Sequence, residues 1–79
     1  MILVSGPAIA SLCRHTRKWA HDAIRRGRFG PIAKGYKGIL YVRLDAVESA
    51  YGITFSKSQI ERAAAGIPTR VLERAQTGL

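Results

Sequence analysis

"CRHTRKWAHDAIRRGRFGP", residues 13–31, carries six basic side chains around a single acid, Asp22. Thr16 offers a side-chain oxygen to free backbone N–H groups, so it predicts the start of a helix. Ala20, Ala23 and Ile24 then recur at helical spacing as a narrow apolar stripe, and Gly27 marks the end. With side chains that small on its inner face, the helix is expected to lie close against a neighbour. Arg17, Lys18, His21 and Arg25 share the opposite face and point outward together.

The neighbour is found just upstream. "SGPAIASLC" (5–13) predicts a short helix capped by Ser5 or Gly6, with Pro7 in the first turn, where its missing N–H is harmless. Ile9, Leu12 and Cys13 share its inner face. Downstream the period changes. "GPIAKGYKGILYVRL" (30–44) holds two β-prone runs, around Ile32 and from Ile39 to Arg43, split by the glycine-rich tip "KGYKG". This predicts a β-hairpin with lysines at its tip. Ile39, Tyr41 and Arg43 face one side, and Leu40, Val42 and Leu44 the other. A third helix is expected from about Asp45, with Val47, Ala50 and Tyr51 inward and Gly52 as its stop. "FSKSQIERAAAGIPTRVLERAQ" (55–76) begins with a capping box, Ser56 with Gln59, and its helix ends at Gly66. Thr69 is expected to cap one or two further helical turns, with Val71, Leu72 and Ala75 apolar.

Charge divides the 79-residue chain unevenly, although its net value is +8. Residues 14–43 hold nine basic groups (Arg14, Arg17, Lys18, Arg25, Arg26, Arg28, Lys34, Lys37 and Arg43) against Asp22 alone. From residue 44 onward, Lys57, Arg62, Arg70 and Arg74 are cancelled by Asp45, Glu48, Glu61 and Glu73. An ordinary soluble surface intermixes the two signs, as the last third does. A concentrated basic block is instead the electrostatic footprint of a polyphosphate partner.

Size and composition narrow the reading further. A single small domain is expected, burying roughly 60% of its unfolded surface and therefore helped by a partner or by self-assembly. The longest apolar runs are four residues, "MILV" (1–4) and "ILYV" (39–42), too short for a membrane span. One cysteine, Cys13, allows no internal disulfide and fits a reducing compartment. A cytoplasmic, nucleoid-associated place in a bacterial cell is expected. Cys13, His15 and His21 lack a fourth ligand and any zinc spacing, so no metal is expected. Asp45 and Glu48 are explained by the positive end of a helix dipole. No Walker loop, nucleophile elbow or catalytic triad is present, so neither an enzyme nor a cofactor is expected. Trp19 beside the basic face is expected to cover the edge of a thin core.

Helix, tight turn, basic helix, hairpin and helix follow one another in the order of a winged helix-turn-helix: mainly α with a β-hairpin wing. "AIASLCRHTRKWAHDAIRRGRF" (8–29) resembles the excisionase and MerR-like group of small DNA-binding domains, and "GYKGILYVRLDAVESAY" (35–51) resembles that group's wing and the helix behind it. The match covers roughly residues 5–52. Ala10 falls where the group has a small residue at the helix crossing. Two positions depart from it: Arg14 stands where the turn usually has glycine, which calls for a left-handed backbone at a bulky residue, and His15 stands where an apolar residue is usual.

The resemblance implies that the second helix enters the major groove while the wing reaches the backbone or the adjacent minor groove. Thr16, Arg17, Lys18 and His21 are then the groove residues, Arg17 being first choice for a base contact because a guanidinium pairs bidentately with guanine. Arg25, Arg26 and Arg28 flank phosphates, and Lys34, Tyr36 and Lys37 act from the wing. Residues 1–52 form the DNA-binding domain. Residues 53–79 form a helical C-terminal extension whose Ile60, Ile67, Val71 and Leu72 are candidates for self-association.

The function this implies is that of a recombination directionality factor. Several copies bind double-stranded DNA cooperatively, bend it and assist an integrase of the tyrosine recombinase class, with transcription regulation as a second role. The alternatives are a MerR- or AlpA-like transcriptional regulator, and a DNA-binding module of a phage terminase small subunit or a Mu-type transposase.

Overall fold

The computed structural model describes residues 2–64 and 70–73. Strand β1 (Ile2–Ser5) runs without a break into helix α1 (Gly6–Cys13), and α2 (Arg17–Arg25) follows after a tight turn. A short hairpin comes next, β2 (Ala33–Lys34) and β3 (Leu40–Arg43), joined through a turn at Tyr36–Gly38. Helices α3 (Leu44–Tyr51) and α4 (Lys57–Ala64) follow, and strand β4 (Val71–Glu73) closes the order. The result is a small, mainly helical fold with one four-stranded antiparallel sheet in the order β2-β3-β1-β4.

The turn between α1 and α2 forms as the sequence requires. Arg14 takes the left-handed conformation (φ 56°, ψ 47°), and its N–H donates to the Ala10 carbonyl. The Trp19 N–H donates to Thr16 Oγ1 at 3.1 Å, so Thr16 does cap α2. Ala10, Ala20 and Ala23 are buried where the two helices meet. Ile9 and Ile24 are fully buried in the same cluster, with Phe29, Val42 and Val47.

Val4 pairs with Val42 on one side and Val71 on the other, and all three belong to the layer that packs against the helices. Tyr41 lies on the opposite face of the sheet yet is also buried, because its ring packs tightly over Gly35 of the hairpin. A Cβ at Gly35 would clash with that ring. Alternation along β3 therefore holds, but both of its faces are covered near Tyr41.

Four expectations need correction. "MILV" is more than an apolar run: residues 2–5 form the strand on which β3 and β4 both assemble. Ala50 of α3 is exposed, whereas Val47 and Tyr51 do turn inward. The β-prone run around Ile32 shortens to Ala33–Lys34, with Ile32 exposed. Residues 71–73 are a strand and not the helical turns expected after Thr69, so the extension is helical only in part. Val71 and Leu72 satisfy their backbone by pairing with Val4 and Leu3, so tertiary pairing decides between strand and helix for a short segment whose own preference is weak. Gly66, Ile67, Thr69 and Ala75 lie outside the described residues.

The region after Gly52 is fastened to the rest. The expected capping box closes in both directions: Ser56 N–H donates to Gln59 Oε1 at 2.8 Å, and Gln59 N–H donates to Ser56 Oγ at 3.2 Å. Glu48 reaches forward from α3 to accept the Phe55 N–H at 2.8 Å. Phe55 and Ala63 are thereby set into the same buried cluster as Ile9 and Ile24.

Candidate nucleic-acid interface

Amphipathicity puts the basic side chains of α2 where a partner can meet them. At roughly 100° per residue, Arg17, His21, Arg25 and Lys18 fall within about 100° of arc, with Ala23 opposite and Ala20 and Ile24 along one flank of it. All four polar side chains are exposed, as are Thr16, Arg26 and Arg28. The helix can keep this face because its apolar side is satisfied by α1.

The hairpin completes the arrangement. An open groove of about 650 Å³ lies between α2, the start of α1 and the hairpin. His21 and Arg25 enter it from α2, Lys34 and Lys37 from the hairpin, and Arg70 from the residue before β4. Among the described residues that line it, none is acidic. Lys37 sits at the tip with a left-handed backbone (φ 56°), followed by Gly38 at φ 76°. This pair of positive φ values turns the chain sharply enough for β2 and β3 to pair over so few residues. Tyr36 opens the same turn.

Not every predicted residue joins this surface. Arg28 turns toward α3, its guanidinium carbon 5.8 Å from the centroid of the Tyr51 ring. Arg43, part of the basic block, is occupied by Asp45, with Nε–Oδ1 at 3.0 Å and Nη2–Oδ2 at 2.6 Å. Both partners of that pair are exposed, so its contribution to stability is at most about 1 kcal/mol. It still lowers the free positive charge beside the hairpin. Trp19 is half-buried against the core, stacked on His15 with centroids 4.0 Å apart and tilted against Tyr51 at 5.9 Å. This accounts for His15 in place of an apolar residue: its imidazole covers the indole. Burial pushes the Cys13 thiol above the usual range, as expected for a thiol that serves packing.

Ile60 and Val71 pack against the core instead of standing free, and Leu72 is half-buried. Among the described residues, Ile32 and Ile53 are the large hydrophobic side chains left exposed.

Sequence reasoning missed Arg70 and the start of α1 as parts of the groove. Strand β1 was legible in principle, as an aliphatic run ahead of a capped helix. No local signal marks Arg70, which arrives only through pairing of β4 with β1. Among the described residues, no three His, Cys, Asp or Glu side chains gather as a metal site would require, and no helix is long and apolar enough to cross a membrane. Comparison with known protein families, curated proteins and solved structures finds no match for this chain.

Proposed function

We propose that this protein binds double-stranded DNA as a winged helix-turn-helix, with α2 in the major groove and the β2–β3 hairpin as the wing, and that it acts as an excisionase-type recombination directionality factor. One observation carries the binding part of the reading: His21 and Arg25 of α2 and Lys34 and Lys37 of the hairpin converge on one groove whose described lining holds no acid. Two separate elements offering cations to the same concave surface suit a duplex, whose phosphate strands alternate with its grooves. The excisionase role rests on the sequence resemblance, with bending as its mechanical contribution to an integrase complex.

The test is the salt dependence of binding. With about five phosphates neutralised, log K falls against log salt with a slope near −4 to −5, at roughly −0.9 per phosphate. A slope flatter than about −2 removes the basic face from the DNA. Bending measured on a duplex with donor and acceptor dyes at its ends tests the finer role. DNA that stays straight in the complex turns the reading toward a plain transcriptional regulator.

A further inference from the structure

The groove also has a floor. Ser5, at the junction of β1 and α1, lines it and is only 2% exposed, and its hydroxyl oxygen is buried with no hydrogen-bond partner. Ser5 occupies the cap position of α1 but makes no capping bond, and the first turn of α1 contains no acidic side chain. Pro7 has no N–H, so Gly6 and Ala8 carry the N–H groups at this helix start that have no intrahelical acceptor, and the positive end of its dipole is uncompensated by a nearby carboxylate. Gly6 lets the backbone come up against the His21 ring, which a Cβ there would overlap. Pairing of Val71 with Val4 brings the preceding residue, Arg70, to the same groove that Ser5 lines. Arg70 thus shares the groove lining with an unpartnered hydroxyl and an uncapped helix start.

We infer that this floor is a seat for one phosphate, held by Arg70, the Ser5 hydroxyl and the N–H groups at the start of α1, and that its occupant is a phosphodiester of the bound duplex. The inference rests on the DNA-binding reading for its occupant. With α2 in one groove of the duplex and the hairpin at the next, the strand between them passes over this floor. The chemistry alone suits any phosphate: a dipole end and hydroxyl and guanidinium donors recognise the anion whatever carries it.

Two probes separate the sources, both used on the full chain: inorganic phosphate followed by amide NMR, and a random-sequence duplex followed by fluorescence anisotropy over a salt series. In the wild type, phosphate is expected to shift the Gly6 and Ala8 amides saturably, and equal ionic strength of chloride is not. Arg70→Gln and Ser5→Ala are expected to weaken that response. Arg70→Gln is also expected to flatten the log K against log salt slope by about 0.9, with Arg70→Lys restoring most of it. A wild-type chain that binds duplex, with no phosphate shifts and with slopes unchanged in both variants, overturns the seat. Phosphate shifts with unchanged slopes overturn the phosphodiester assignment. Phosphate shifts in a chain that binds no duplex overturn the DNA-binding reading and leave the seat standing as a free-phosphate site.

Discussion

The α2–hairpin side and the α4–β4 side of this molecule use polar residues in opposite ways. On the first, Arg17, Lys18, His21 and Arg25 are exposed and their nearest acids are few. On the second, charges balance, and the polar groups near its start are used locally: Glu48 holds Phe55, and Ser56 and Gln59 hold each other. The first side leaves its electrostatic potential available to a partner. The second fixes geometry. The contrast teaches that a neutral segment after a basic one need not be an appendage, because here it supplies Phe55, Ala63 and a strand to the common structure.

The hardest test of that contrast is to remove a residue of the neutral side. Phe55 is 6% exposed within the shared cluster, and Phe→Ala in such a place lowers stability by about 3–5 kcal/mol. A domain this small has only about 3–5 kcal/mol from its core. Phe55→Ala is therefore expected to abolish the cooperative thermal transition seen by circular dichroism. A chain ending at Gly52 lacks Phe55, Ala63 and β4 together and is expected to be unfolded. A cooperative melt in that shortened chain breaks the comparison, since residues 53–79 would then be free for self-association alone.

On the basic side the expected effects are on binding. Arg17→Ala is expected to weaken a selected DNA site by about 1–3 kcal/mol and random duplex much less, if its guanidinium reads a base. Lys34→Ala, in the groove, is expected to weaken both by a similar factor. Equal losses on both duplexes for Arg17→Ala make it another phosphate contact and shift base reading to Lys18 or His21.

Local physics was legible in the sequence wherever one residue decides a geometry. Thr16 had to cap and Gly52 had to stop α3, and the chain does both, whereas the left-handed turn at Arg14 was implied only by the family resemblance. The cationic arc of α2 followed from spacing alone. What was not legible depends on partners far apart in sequence. Val71 is a strand residue because Val4 offers an unpaired edge, and Arg70 reaches the groove because Val71 next to it is fixed by that pairing. The direction of Arg28 is set by Tyr51, which is twenty-three positions away. Periodicity reports which face is apolar, and it carries no record of which remote edge that face will meet.

A smaller effect tests whether the basic helix depends on its own cap or on its neighbours. Thr16→Ala removes the acceptor for the Trp19 N–H and is expected to lower stability by about 1 kcal/mol. For a domain of this size that corresponds to a fall in Tm of about 4–8 °C. No change in Tm means that packing against α1, rather than the cap, fixes where α2 begins.

The smallest expected effect is also the one placed at the seam between the two sides. Arg14 holds φ 56° and ψ 47°. A left-handed backbone is unfavourable by roughly 1–2 kcal/mol for a residue with a Cβ. Glycine removes that strain, while its freer unfolded chain offsets about 0.5–1 kcal/mol of the gain. Arg14→Gly is therefore expected to raise stability by about 0.5–1 kcal/mol, a few degrees in Tm. The backbone bonds of the turn, from the Arg14 and His15 N–H groups to the Ala10 carbonyl, need no side chain and stay in place. Yet Arg14 also borders a small cleft with Ser11 and Leu12 of α1 and Gln59 and Arg62 of α4. Its aliphatic stem can cover apolar surface there, independently of its charge. Differential scanning calorimetry decides between strain and packing. A higher Tm makes the turn a strained joint that α4 merely adjoins, and a lower Tm makes the Arg14 stem part of what binds the neutral side to the basic one.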